Sequence, residues 1–211
     1  MHVYLAPVTP AEIDPALQAL IDLIVPGGQT LLVPVVPVDN APVNECFSIV
    51  KGRVAANGGE LVIGWSLWVS PRLFVEAEFH GVWRDNSGAL IDLAPKAKSV
   101  AQVLFLPDPS KIFDEVQVPN IRRPIRQIPE LIAYFETFDA EYELMNRGER
   151  SRVFGEMHLQ GSEADEYHSI MSTRAMLHME MLSFFATATN YDPCPCGSGK
   201  KIRWCHREYA N

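Results

Sequence analysis

Apolar residues change their spacing several times along the chain, and each change marks a new element. Leu17, Leu20, Ile21 and Ile24 recur at three- and four-residue intervals, which predicts a helix over 10–25, broken by Pro26-Gly27-Gly28. The apolar run 30–36 reads as a strand, and the proline-bearing stretch 37–43 as a loop that leads into Asn44. Asn44 suits the N-cap of a second helix over 45–56. There Cys46, Phe47, Val50 and Val54 share one face, and Asn57-Gly58-Gly59 offers a left-handed exit.

The period then drops to two. Residues 61–69 are rich in β-branched and aromatic types. In 73–84, Leu73, Val75, Ala77, Phe79 and Trp83 alternate with Glu76, Glu78, His80 and Arg84. Asp85-Asn86-Ser87-Gly88 is a turn signature, so 89–93 is the returning strand of a hairpin, and 100–106 is read as a further strand of the same sheet. Beyond Pro107-Asp108-Pro109 the pattern turns helical over 128–146, 149–159 and 163–188. Met171, Met176, Met179 and Met181, interleaved with Leu177, Leu182 and Phe184, read as core. The expectation is an α+β fold with an antiparallel sheet and packed helices, divided into a core (1–125), a helical region (126–190) and a terminal module (191–211).

Charge and composition narrow the function classes. A net charge of -8 argues against a general nucleic-acid or anionic-membrane binder, because either needs a basic surface. No stretch reaches the roughly 20 apolar residues that span a bilayer, and the first residues lack a basic segment followed by an apolar one. Three of the 4 cysteines crowd the C-terminus in metal-ligand spacing and Cys46 stands alone, a poor disulfide framework. These features together predict a cytoplasmic protein without a membrane span.

The crowded cysteines carry the most specific signal. Cys194, Cys196, Cys205 and His206 supply four soft or borderline ligands, and Gly197-Ser198-Gly199 permits the turn that brings the second pair back onto the first. Zinc prefers four such ligands in a tetrahedron, and a peptide this short has too little apolar area to fold without a staple. A full ligand set predicts a structural Zn2+ site with no open position. The run Cys194-Pro195-Cys196-Gly197-Ser198-Gly199-Lys200-Lys201, closed by Cys205-His206, resembles the SEC-C motif, found at the end of the SecA translocase and on many other bacterial proteins. Arg203-Trp204 stands where that family more often carries lysines. The resemblance implies a zinc-binding module that docks a protein partner, ribosomal or secretion-related, through Lys200, Lys201, Arg203 and Arg207.

A second constellation lies in the core. Cys46 is expected at the second position of the helix begun by Asn44, where free backbone N–H groups and the helix dipole stabilise a thiolate. His80 lies on the polar side of its strand, and the Asn86-Ser87 turn would set it opposite Asp92 or its neighbour, with Cβ atoms about 5 Å apart. A helix-borne Cys, a strand His and an Asp on the next strand follow the chain order of papain-like and transglutaminase-like cysteine enzymes. Phe79-His80-Gly81-Val82-Trp83 and Asp92-Leu93-Ala94-Pro95 resemble the transglutaminase-like His strand and its Asp-x-x-Pro ending. The resemblance implies Cys46 as nucleophile, His80 as base and Asp92 as orienter, acting on an amide or acyl bond as hydrolase or acyltransferase, with Asn40 or Asn44 near the oxyanion. The alternative is a non-catalytic, zinc-bearing adaptor in which Cys46 is a buried structural thiol and His80 a satisfied core histidine.

Overall fold

A computed structural model describes residues 7–43, 45–70, 73–96, 98–153, 157–195 and 198–205, and the account below concerns these. The first helix, α1 (Pro15–Ile24), starts later than the 10–25 reading because Asp14 and Pro15 fix its beginning. The Asp14 carboxylate accepts a hydrogen bond from the Leu17 N–H at 2.8 Å, and proline at N1 gives up a donor that has no partner there. The second helix, α2 (Cys46–Asn57), begins at Cys46 with Glu45 in the cap position. The predicted N-cap, Asn44, lies outside the described residues.

Six strands form one antiparallel sheet: β1 (Leu31–Pro34), β2 (Glu60–Ser70), β3 (Phe74–Arg84), β4 (Leu90–Ile91), β5 (Gln102–Pro107) and β6 (Ile121–Pro124). The order is β1-β5-β2-β3-β4, and β6 also pairs with β3. The long hairpin of β2 and β3 is its spine, paired without interruption from Glu60↔Arg84 to Ser70↔Phe74. A parallel bridge between Val35 and Asp92 then joins the two ends of this path. Val36 donates to the Asp92 carbonyl at 2.8 Å, Asp92 N–H to Pro34 at 2.9 Å and Val38 to Leu93 at 3.0 Å. The sheet is thereby rolled into a small barrel.

Rolling gives each strand an inner and an outer face. Val33, Val82, Val103 and Phe105 fill the inside. On the outside α1 and α2 cover Trp65, Leu67, Val75, Ala77 and Phe79 through Leu17, Leu20, Ile21, Cys46 and Phe47. Gly81 makes the seating of α2 possible, since a Cβ there would meet the Phe47 ring at 3.0 Å and Leu61 at 2.8 Å. The alternation read in 73–84 is therefore present, but its polar face is not a solvent face. Glu76 is 7% and His80 1% exposed, because the closed barrel covers what an open sheet would leave wet.

The helical region comprises α3 (Pro129–Met145) and α4 (Ser162–Thr187). Their apolar sides, with Leu131, Tyr134, Leu177 and Met181, pack with Leu73 and Phe74 at one end of the hairpin and with Cys194 and Ile202 of the terminal segment. Met181 is buried as expected, whereas Met176 and Met179 are exposed. The helix expected over 149–159 is replaced by a 3-10 turn, Gly148–Arg152. Arg150 holds that turn in place by reaching the Leu144 carbonyl at 2.8 Å and the Glu163 carboxylate. Strand β6, Ile-Arg-Arg-Pro, was not anticipated. Its four residues carry too little periodicity to register, and a proline is tolerated there because the strand lies at an edge. No helix among the described residues is long and apolar enough to cross a membrane.

Candidate active site

β3 is paired with β6 only along Phe74–Ala77 and with β4 only along Trp83 and Arg84. Between them, among the described residues, 78–82 have no strand partner on that edge. A cleft of about 1030 Å³ lies along this stretch and opens to solvent, lined among others by Cys46, His80, Lys96, Phe113, Tyr142 and Met145.

The three residues expected to form a site are brought together here. Cys46 is the first residue of α2, buried and free. It occupies the first helical position rather than the second, which keeps it within the first turn and its unpaired N–H groups. Glu45 accepts from the Ser48 hydroxyl at 3.3 Å. His80, from the inner face of β3, sets Nε2 3.0 Å from Asp92 Oδ2. The contact is diagonal rather than directly across. Trp83 pairs with Ile91, so the register carried on places Val82, not His80, against Asp92. Asp92 reaches His80 because the chain leaves β4 at that point to bridge Val35, and because its Oδ1 is fixed by the Ala94 N–H at 2.9 Å.

A fourth group enters that the sequence reading missed. Lys96 Nζ lies 2.7 Å from Asp92 Oδ2 and 3.3 Å from His80 Nε2, with its side chain 12% exposed. The two cationic nitrogens share one carboxylate oxygen as ion pairs rather than as in-line hydrogen bonds. His80 Nδ1 is buried without a hydrogen bond of its own, which leaves it as the ring atom available to the thiol. The signal for Lys96 was present as the i, i+4 spacing from Asp92, but across Pro95 that spacing does not imply a helix face.

The electrostatics follow from this crowding. Burial opposes charge on the imidazole, but the Cys46 sulfur and the Asp92 carboxylate outweigh it and raise the His80 pKa to about 10. For Asp92 burial acts upward, while His80 and Lys96 prevail and lower the carboxyl to about 2. At neutral pH the site therefore holds imidazolium and carboxylate side by side. Such an arrangement can stabilise a sulfur anion and deliver a proton to a leaving group.

The terminal segment forms a tight hairpin. Pro193 bridges Lys201, Cys194 N–H donates to the Lys200 carbonyl at 2.8 Å, and the short 3-10 turn Ile202–Trp204 returns the chain. Cys194 is buried, and Cys205 Sγ lies 3.0 Å from the Ser198 hydroxyl. The other two predicted zinc ligands, Cys196 and His206, lie outside the described residues. Among the described residues no three His, Cys, Asp or Glu side chains are grouped to hold a metal. Both described thiols pack on the apolar cluster around Ile202. Of the oxyanion candidates, Asn40 sits in the loop before α2 with a positive φ of 57°, and Asn44 is outside the described residues.

Compared with known proteins, the chain matches no family model, no curated protein and no solved structure.

Proposed function

We propose that Cys46, His80 and Asp92 form a thiol centre, and that the protein is a cytoplasmic papain- or transglutaminase-like enzyme acting on an amide or related acyl bond. The observation that carries this reading is the buried His80 ring, 3.0 Å from Asp92 and electrostatically coupled to the Cys46 thiol, on the wall of an open cleft. Buried histidines with a purely structural role have no need of a thiol on one side and a carboxylate on the other. In the proposed reaction Cys46 Sγ adds to the carbonyl carbon, and imidazolium His80 gives its proton to the leaving amine as the C–N bond breaks. Neutral His80 then takes a proton from water, whose oxygen adds to the thioester. The C–S bond breaks, and thiolate and imidazolium are restored.

The test is the rate of iodoacetamide labelling of Cys46 against pH in the wild type and in His80→Ala. An activated centre labels at pH 6 at least about tenfold faster than the variant. Equal rates in the two proteins would leave Cys46 an ordinary buried thiol.

For the terminal module we propose zinc held by Cys194, Cys196, Cys205 and His206. Bound there, the metal would supply a structural cross-link for the hairpin. About one equivalent of zinc per chain is expected on metal analysis, with Cys194→Ser reducing it. A protein with less than about half an equivalent, unaffected by Cys194→Ser, would sink the proposal.

The adaptor reading has its own support. Trp204 and Tyr191 are 63% and 57% exposed, Lys201 lies over both rings, and Arg203 donates to the Tyr191 hydroxyl at 3.0 Å. A platform of aromatic and cationic groups suits docking to a protein or ribosomal partner. In a pure adaptor Cys46→Ala leaves function intact, whereas a thiol enzyme loses it.

A further inference from the structure

The cluster at the barrel rim holds one more charge than a Cys-His-Asp set requires. Lys96 is nearly buried, its Nζ is 2.7 Å from the orienting carboxylate, and it approaches the catalytic ring to 3.3 Å. A lysine side chain is rarely placed so deep without a partner, and a cation beside an imidazole that must itself become cationic is costly unless something is gained. The gain follows from counting charge. With Cys46 as thiolate, His80 as imidazolium and Asp92 as carboxylate, the buried group would carry one net negative charge. Lys96 brings it to zero. Without that cation, the cheapest way for a buried cluster to regain neutrality is to bind one more proton, and the thiolate is where it would go.

We propose that Lys96 is a positioning residue that keeps Cys46 in its nucleophilic form by balancing the charge of Asp92, leaving the His80 proton free for the leaving group. This rests on the thiol-centre reading above and concerns the regulation of that same site. The other charged groups facing the cleft do not substitute for it. Glu45 at the start of α2, Glu78 on β3 and Asp139 and Glu141 on α3 are negative; Glu78 accepts from the Trp68 indole at 3.0 Å and Glu141 pairs with Arg174 at 2.7 Å. Glu76 is matched by Arg122 at 2.6 Å. Lys98 also lines the cleft, and Lys96 is the lysine whose Nζ meets the Asp92 carboxylate, at 2.7 Å. β2, which pairs the other side of β3, places Gly64 opposite His80, so no charge arrives from there.

The test compares iodoacetamide labelling of Cys46 in wild type, Lys96→Met and Lys96→Arg from pH 5 to 9.5. Lys96→Met is expected to lower the rate at pH 6 by about tenfold or more and to recover wild-type rates near pH 9.5. Lys96→Arg, which keeps the charge, should stay within about threefold of wild type. Loss of access to the cleft would instead lower the rate equally at every pH and spare neither variant. Should Lys96→Met fail to fold, Lys96→Gln carries the same comparison. A wild-type profile that is fast at pH 6 and unchanged in Lys96→Met overturns the role of Lys96 alone. A wild type already slow at pH 6 overturns both this role and the thiol-centre reading.

Discussion

Two ionic clusters among the described residues are built from similar groups but set in different surroundings. At the barrel rim His80, Lys96 and Asp92 meet with side chains 2%, 12% and 0% exposed. Between the 3-10 turn and α4, Arg147 and Arg150 grip Glu163 and Glu166 through well-formed forks, with contacts as short as 2.6 Å, yet these side chains are 26–47% exposed. By geometry alone the second cluster looks the stronger. Solvent reverses the order, because an exposed pair exchanges one set of favourable contacts for another, whereas a buried charge left without its partner has none. This contrast identifies the rim as the place where charge has been kept at a cost, and so as the place to look for chemistry.

The largest effect should come from removing the shared carboxylate. Asp92→Ala leaves two cations facing each other inside the barrel and is expected to destabilise the fold by about 3–5 kcal/mol in urea unfolding. Asp92→Asn retains an acceptor for the Ala94 N–H and should lose less. If Asp92→Ala unfolds within about 1 kcal/mol of wild type, the rim cluster is no more consequential than the surface one and the contrast fails.

The same cluster should set the pH range of stability. Asp92 is held down to about 2, so its contribution is complete above its unfolded value near 3.8 and is lost as pH falls through 2. His80 is raised to about 10, so its contribution is complete below its unfolded value near 6.5 and declines as pH climbs toward 10. The difference in unfolding free energy between wild type and His80→Ala should therefore be greatest between about pH 4 and 6.5 and shrink on the alkaline side. A difference that instead grows as pH rises through about 6.5 and then levels off would show that His80 is buried neutral.

How far the rim could be seen beforehand depends on what each residue announces locally. Cys46, His80 and Asp92 were legible through element order, because a helix start, an alternating strand and a turn-linked return strand are local patterns. Their mutual register was legible only to within two residues. The bridge from Val35 to Asp92 that bends the chain out of β4 is a long-range contact with no signature of its own. Barrel closure was illegible for the same reason, and with it the burial of the face that carries His80. Lys96 stood four residues past Asp92, but across Pro95 that spacing did not by itself distinguish it from a surface lysine. The expected turn and strands of the hairpin, by contrast, needed only Asp85-Asn86-Ser87-Gly88 and the period-two run, and they appear nearly where expected.

Arg174 falls between the two clusters and tests whether burial acts by degrees. Its guanidinium lies 3.8 Å from the Phe138 ring, donates to the Thr137 hydroxyl and carbonyl at 2.9 and 2.7 Å, and pairs with Glu141 at 2.7 Å, with the side chain 13% exposed. Arg174→Ala should cost about 2 kcal/mol by urea unfolding, since it strands partly buried acceptors between α3 and α4. Arg174→Lys should recover only part of that, because an ammonium cannot serve three acceptors in one plane while stacking on a ring. Full recovery by lysine would mean that charge alone matters at this helix contact.

The smallest effect is expected where short contacts lie in water. Arg147 reaches both oxygens of Glu166, at 2.8 and 2.6 Å, and these contacts lower the Glu166 carboxyl and raise the Arg147 guanidinium. Both groups nevertheless remain in water, and whatever they gain from each other is weighed against hydration they already had and side-chain freedom they must give up. Arg147→Gln should therefore leave the urea midpoint close to wild type. Any residual difference should fade in about 1 M salt, where the screening length falls to about 3 Å. The rim should behave otherwise, since its side chains are almost fully buried, and Asp92→Ala should cost nearly as much in high salt as in low. A surface fork that resisted salt, or a rim that yielded to it, would exchange the two clusters' roles and move the search for buried chemistry from the barrel to the α3–α4 end of the molecule.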